Sequence, residues 1–147
     1  MGFGDSVAAN AARVLTEINK KISNSVEDLF TSVVEHSVMP LGPGPYATGL
    51  LANQWYPMVG GHSSEISESR NLSGTESLSR IKAMLATGVF LGKDAVITLT
   101  NNVDHAYRAE VLGWPAGQGA NGWVWSGRQG PYAMIGRATQ IWRARYI

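Results

Sequence analysis

The hydrophobic positions of residues 5–38 follow a helical period. Apolar side chains recur every three or four residues, at Val7, Ala11, Val14, Ile18, Ile22, Val26, Leu29 and Val33, which places them on one helix face. Asp5 or Ser6 suits the N-cap, and Pro40 ends the run. Such a helix spans roughly 50 Å, more than a domain of this size requires. The pattern predicts a long amphipathic helix that packs partly on something besides its own core.

The next segments follow neither a single helical nor a single strand period. Leu41–Gly49 is rich in proline and glycine and predicts turns. Leu50–Val59 mixes apolar and aromatic residues, which favours a short strand after the turn. Gly60–Gly74 is polar and rich in serine and glycine, so it is expected to form a mobile loop.

A second helix is predicted over Thr75–Thr87. Ser73 and Glu76 have the spacing of a capping box, and Gly88 supplies the stop. The apolar face consists of Leu78, Ile81 and Leu85.

The remaining chain alternates short strand patterns with turns. Val89–Leu91 and Ala95–Thr100 are predicted to form a hairpin, and further strands are expected at Tyr107–Leu112 and Gly122–Trp125. A last helix begins near Pro131, with Arg143 and Arg145 at its C-terminal end; its apolar face consists of Met134, Ile135, Ala138, Ile141 and Trp142.

This order of elements predicts a single α+β domain over residues 1–147. In it, the long N-terminal amphipathic helix packs on a small, mainly antiparallel sheet, accompanied by the second helix and the C-terminal helix.

The composition favours a protein whose surface is partly covered by other subunits. Charged residues make up only 16% of the chain, with 17 glycines, so we expect an obligate oligomer. The chain has no cysteine, which excludes disulfides and thiolate metal sites and indicates a reducing compartment. No apolar run is long enough to span a membrane. The net charge of +1 argues against a dedicated nucleic-acid binder.

Charge is unevenly distributed along the chain. Residues 1–68 hold seven acidic side chains and three basic ones, whereas the chain from Val111 onward holds four arginines and no acid. Opposite ends can attract each other between neighbouring copies, or they can be two solvated faces of one domain.

The segment Thr98–Trp125 has the composition of an assembly surface. It contains three of the five tryptophans, Trp114, Trp123 and Trp125, among glycines and without lysine. Aromatic side chains flanked by glycine are typical anchors of an interface. The tryptophans can equally be core residues, and the interface is favoured for Trp114.

Patterns that carry chemistry are weak in this sequence. Residues 117–122 match G-x-G-x-x-G, but Trp-Pro-Ala precedes them, Trp-Val-Trp follows, and no acidic residue lies downstream to bind a ribose hydroxyl, so a pliable interface loop is favoured over dinucleotide binding. His105 with Asp104 or Glu110 is the alternative hypothesis, a small hydrolase, although adjacent residues on an extended chain point to opposite faces. Neither a cofactor nor a metal ion is expected, and the prediction is of a protein that is not an enzyme.

The arginines of the last helix have two interpretations. Arg137, Arg143 and Arg145 can contact DNA phosphates or form a solvated helix end, and the second interpretation is favoured.

Two motifs resemble the tail-completion (minor tail, head–tail joining) protein family of long-tailed bacteriophages. Pro45–Trp55 (PYATGLLANQW) is similar to the family's P-x-x-T-G-x-L-x-x-S-W, with Gln54 in place of the serine. Asn101–Trp114 (NNVDHAYRAEVLGW) is similar to N-N-x-x-Y-A-x-x-x-E-x-G, with His105 in place of the tyrosine. The resemblance covers most of the chain except the Ser/Gly loop.

The resemblance implies a non-enzymatic virion protein, assembled in the host cytoplasm. It implies a homo-oligomeric ring of six or twelve copies in the neck, which joins the tail to the filled head. Neighbouring connector and tail-tube proteins would be its partners, with non-specific contact to the DNA passing through and none with a membrane.

Residue roles follow from the resemblance together with the tryptophan and charge patterns. Thr48, Gly49, Asn101, Asn102 and Gly113 are expected to form structural turns. Subunit and partner contacts are expected from Trp55, Glu110, Trp114, Trp123, Trp125, Arg137, Arg143 and Arg145, with Glu110 meeting an arginine of the next copy.

Overall fold

A computed structural model describes most of the chain. It covers residues 2–38, 50–71, 73–92, 94–104, 106–112, 117–118, 124–125 and 133–147, and of residues 108, 117, 118, 124 and 125 it describes the backbone alone. The elements in chain order are α1 (Phe3–Ser37), β1 (Trp55–Val59), α2 (Thr75–Thr87), a 3-10 turn (Val89–Leu91), β2 (Ile97–Asn101), a π-helical turn (Arg108–Leu112), β3 (Gly117–Gln118), β4 (Val124–Trp125) and α3 (Met134–Tyr146).

The predicted fold class is confirmed. Long helix α1, antiparallel strands and C-terminal helix α3 make an α+β arrangement. Strand β1 pairs antiparallel with β2, from Trp55 opposite Asn101 to Val59 opposite Ile97. The short strands β3 and β4 form a separate antiparallel pair.

Helix α1 extends further toward the N-terminus than predicted. It has 35 residues and therefore a length of roughly 52 Å. It begins at Phe3 because Asp5 lies in the first turn and its Oδ2 accepts the Gly2 N–H at 3.0 Å. This carboxylate satisfies an amide that the helix ladder leaves unpaired.

Helix α2 has the predicted bounds but not the predicted N-terminal cap. Its N-cap is Gly74, in the left-handed region at φ 69°, and no side chain caps it. The Ser73 hydroxyl instead contacts Asn71 and Thr75, so the expected capping box with Glu76 is wrong. At the other end Gly88 adopts φ 64° and its N–H donates to Leu85 O at 3.2 Å, which confirms the predicted glycine stop.

Two predicted strand segments are helical. Val89–Leu91 is a 3-10 turn between Gly88 and Gly92, so the expected hairpin with Ala95–Thr100 is wrong and β2 pairs with β1 instead. Tyr107–Leu112 is also not a strand, because this segment forms helical turns that become π-helical at Arg108–Leu112. Its Ala109 is fully buried while Val111 and Leu112 are exposed, a burial pattern that a strand cannot produce.

The core lies where the C-terminal half of α1 meets β1, α2 and α3. Its side chains come from every one of these elements and from the connecting turns: Phe30, Val33, Val34, Leu51, Trp55, Ile81, Ala109, Met134 and Ala138. All of the α1 members come from its last eight residues. The N-terminal half of the helix therefore extends beyond the core.

Candidate assembly surface

The N-terminal part of α1, residues 3–22, forms an arm that carries no buried residue. Its large apolar side chains are all more than two fifths exposed: Phe3 (88%), Val7 (51%), Val14 (47%), Leu15 (58%), Ile18 (48%) and Ile22 (41%). A helix that is free in water gains nothing from an apolar face, and exposed contiguous apolar patches mark interaction sites. The sequence-based expectation that α1 packs on something besides its core corresponds to this arm.

The arm's apolar stripe continues into the part of α1 that α3 covers. We define the stripe as Phe3, Val7, Ala11, Val14, Ile18 and Ile22; the next positions at the same spacing are Ser25, Leu29 and Val33. The Ser25 hydroxyl and carbonyl accept the Trp142 indole N–H at 2.8 and 3.1 Å. Helix α3 thus ends beside the point where the stripe becomes exposed.

An ionic contact fastens the end of α3 to α1. Arg145 Nη1 and the Tyr146 hydroxyl each donate to Asp28 Oδ2 at 2.6 Å. The hydrogen bond from Tyr146, followed by that from Arg145, lowers the pKa of Asp28, and the bond to Asp28 raises the pKa of Tyr146. The acidic front and basic tail meet here within one chain. For this pair, the attraction between acidic and basic side chains is an internal contact.

The other two α3 arginines differ from Arg145. Arg137 and Arg143 are exposed on the helix surface. Because Arg145 is already paired with a carboxylate, any contact of α3 with DNA phosphate depends mainly on the first two.

Trp55 lies in the core, with 3% of its surface exposed. Its indole N–H donates to Ser37 Oγ at 2.8 Å, and its backbone N–H donates to Ser77 Oγ at 3.0 Å. Its predicted role in a subunit interface is therefore corrected: Trp55 packs the monomer together by joining α1, β1 and α2.

Glu110 acts as a cap for α3. Its two carboxylate oxygens accept the backbone N–H groups of Ile135 and Gly136 at 3.0 and 3.1 Å. Helix α3 has Ala133 at its N-cap position and lacks a local side-chain cap, so Glu110 supplies the negative charge that a helix N-terminus favours. This structural role occupies the side chain that the sequence assigned to an arginine of the next copy or to the alternative hydrolase site.

The two motifs that carry the family resemblance meet in space. Asn101 lies opposite Trp55 in the β1–β2 pair, and its Nδ2 donates to Leu51 O at 3.0 Å. The Asn101 Oδ1 accepts the N–H of Val103, two residues on, at 3.2 Å. Asn102 Nδ2 donates to the carbonyls of residues 63 and 65, both at 2.9 Å. The paired asparagines therefore fix the end of β2 to the turn before β1, through Leu51, and to the loop after β1, through Ser63 and Glu65.

Two buried amides were missed as structural residues. Asn53 and Gln54 have no exposed surface. Gln54 Oε1 accepts the Ser67 N–H at 2.8 Å and its Nε2 donates to Ser67 O; Asn53 Oδ1 accepts the Glu76 N–H at 3.3 Å. A polar pair inside the otherwise apolar Leu50–Val59 segment was the available signal. The Gly60–Gly74 segment contains no helix or strand in its described residues, and these amides hold it; its mobility remains a prediction.

Several predicted site residues fall outside the described residues. These are Thr48, Gly49, His105, Gly113, Trp114 and Trp123; of Trp125 only the backbone, in β4, is described. The hydrolase hypothesis based on His105 with Asp104 is likewise untested by the geometry.

An open cleft of about 440 Å³ lies next to the capped end of α3. Its lining is mostly apolar and includes Trp55, Leu99, Tyr107, Met134 and Ile135. Among the described residues, no group of three or more His, Asp or Glu side chains is placed to hold a metal ion. No described helix is long and apolar enough to cross a membrane.

The comparisons with known proteins give no relative for this chain. No protein-family model matches it, and neither does any curated protein or solved structure.

Proposed function

We propose that this chain is a structural virion protein that forms a homo-oligomeric ring in the head–tail neck of a tailed bacteriophage. The observation that carries the proposal is the arm of α1: a helical extension of about 30 Å whose apolar side chains no described residue of the chain buries. A protein that keeps such a surface needs a protein neighbour to cover it.

The convergence of the two motifs supports the same proposal. Residues quoted for the resemblance, Leu51, Trp55 and Asn101, contact one another in the β1–β2 region. Motifs that build one structural unit are better evidence of a shared fold than two separate matches would be. The ring of six or twelve copies and the neighbouring connector and tail-tube proteins come from the resemblance, and the assembly role also draws on the uncovered arm.

The experiment is deletion of the coding gene in the phage that encodes it, with complementation from a plasmid. We expect the deletion to yield DNA-filled heads and separate tails in electron micrographs, and complementation to restore joined particles. Quantitative mass spectrometry of purified virions should find six or twelve copies per particle. Infectious virions that lack the protein would refute the proposal.

A further inference from the structure

We propose that the arm of α1 pairs with the arm of a second copy of this chain, with the two helices antiparallel. The inference rests on the arm alone and does not require the neck function.

The spacing of the stripe is the same in both directions. From Phe3 to Ile22 the intervals are 4, 4, 3, 4 and 4 residues. When a second arm is turned end over end about a two-fold axis, each apolar position therefore meets another: Phe3 faces Ile22, Val7 faces Ile18, and Ala11 faces Val14. A two-fold contact requires such a self-complementary patch, since each copy presents the same surface.

The stripe also runs nearly parallel to the helix axis. Each of its first three positions recurs eleven residues later, which corresponds to 3.67 residues per turn. Two such helices stay in contact along the whole arm, a length of roughly 30 Å. The small side chain of Ala11, near the middle, lets the two backbones approach closely.

The area is sufficient for a specific pair. A half-exposed Val, Leu or Ile presents on the order of 100 Å² of apolar surface, and the stripe with Leu15 at its edge contains six large apolar side chains. If all of this surface is covered in both copies, pairing buries about 1,200 Å², which is at the lower end of stable specific interfaces.

The helix dipoles favour the antiparallel orientation. Asp5 lies near one end, whereas Lys20 and Lys21 lie near the other. Between them, Arg13 and Glu17 form an exposed pair at 3.8 Å within the same helix. Of these charged residues only Lys21 borders the stripe, because Asp5 and Lys20 lie on the opposite face of the arm. Antiparallel packing opposes the two helix dipoles, which parallel packing would align.

This pairing closes on itself and ends at two copies. A ring instead requires a head-to-tail contact between different patches. The pair is the form of the protein in free solution, where it covers the apolar stripe, and a ring needs a further contact between copies.

The first test is sedimentation velocity of the purified full chain over a range of concentrations. We expect a monomer–dimer equilibrium with a dimer as the largest species. Ile18→Glu should weaken the dimer about 100-fold or more, because the two-fold axis places the substitution in the contact twice. Thr16→Glu adds the same charge on the opposite face of the arm and should leave dimerisation unchanged. Because neither side chain contributes to the core, both variants should keep the wild-type circular dichroism.

The second test fixes the orientation, and the absence of native cysteine removes background. Two single-cysteine variants, Val7→Cys and Ile18→Cys, are prepared, one of them carrying a tag. Each is oxidised alone, and an equal mixture of the two is oxidised in parallel. Disulfides that form mainly in the mixture support the antiparallel pair. Disulfides that form readily in Val7→Cys alone indicate parallel arms and overturn it.

Other occupants of the arm are also outcomes of these tests. The proposal is overturned if the chain stays monomeric at about 100 μM. This concentration is far above the dissociation constants of specific interfaces of this size. If that monomer then binds phosphatidylglycerol vesicles, the stripe serves a lipid surface; if it does not, another protein covers it. A chain that does not dimerise refutes the pairing of the arms but not the neck function. A chain that is absent from virions refutes the neck function but not the pairing.

Discussion

Among the glycines that the structure describes, Gly74 is the position where one added methyl group should do the most damage to the fold. It lies at the N-cap of α2 with φ 69°, in the region that residues with a Cβ rarely adopt. A Cβ placed there would lie 2.7 Å from Val34 Cγ1, 3.2 Å from Ala52 O and 3.3 Å from Ala52 Cβ. Val34 has no exposed surface, so it has no free space into which it can move.

The expected cost of Gly74→Ala combines backbone strain and overpacking. The left-handed conformation costs about 1–2 kcal/mol for a residue other than glycine, and forcing a methyl group into a packed core costs about 1–3 kcal/mol. The smaller entropy of the unfolded alanine chain offsets about 0.4–1 kcal/mol. Together these ranges give a net loss of about 1–5 kcal/mol in the free energy of unfolding; a loss of about 3 kcal/mol corresponds to about 6–12 °C in Tm.

Urea denaturation followed by tryptophan fluorescence, at one protein concentration, measures this loss. Gly60→Ala is the matched control, because Gly60 also has a positive φ, 77°, but a Cβ there meets nothing within 4 Å; it carries the backbone strain without the clash and should lose only about 1 kcal/mol. In the double variant Gly74→Ala/Val34→Ala the clash with Val34 is relieved. Its loss of stability should therefore be smaller than the sum of the losses of the two single variants. Changes on the protein surface usually alter the free energy of unfolding by no more than about 0.5 kcal/mol. A Gly74→Ala variant whose free energy of unfolding lies that close to wild type would refute this account.

Two further predictions concern polar contacts of α1. Ser37→Ala removes the acceptor of the buried Trp55 indole N–H and should cost about 1–3 kcal/mol in urea denaturation, whereas Ser6→Ala, on the exposed arm, should cost almost nothing. Because the pKa of Asp28 is lowered, its contacts with Arg145 and Tyr146 stabilise the protein above the carboxyl's unfolded pKa and are lost as pH falls through the folded one. Wild type should therefore lose more Tm than Asp28→Asn as pH falls below about 4; equal losses would contradict this.

The long-period features of the fold could be predicted from sequence because they depend on local information. The stripe of α1, the apolar face of α2 and the glycine stop at Gly88 need only helical periodicity and the conformational freedom of glycine. The N-terminal cap of α2 differs from the prediction because short polar side chains have several possible hydrogen-bond partners. Ser73 contacts Asn71 and Thr75 rather than the α2 backbone, a choice that spacing alone does not reveal.

The strand errors arise from contacts distant in sequence. A three-residue apolar run such as Val89–Leu91 suits a strand or a helical turn equally well, and β2 pairs with β1 because Asn101 reaches Leu51 and Trp55 across about fifty residues. The segment Tyr107–Leu112 forms helical turns that place Ala109 in the core and bring Glu110 to the amides of α3. No local property of this segment encodes that requirement, since the helix it caps begins more than twenty residues later.

Periodicity alone predicts that α1 has an apolar face, and the three-dimensional packing determines which part of that face is covered. The same spacing runs from Phe3 to Val33, yet only the last turns of α1 meet α2, β1 and α3. Core formation cannot explain the first six stripe positions, because no described residue of the chain buries them. Leucine, valine and isoleucine there add nothing to the free energy of unfolding of a monomer and promote aggregation. The stripe is uncovered by the described residues, and its intervals have the same order from either end. Contact with a second identical helix explains both properties.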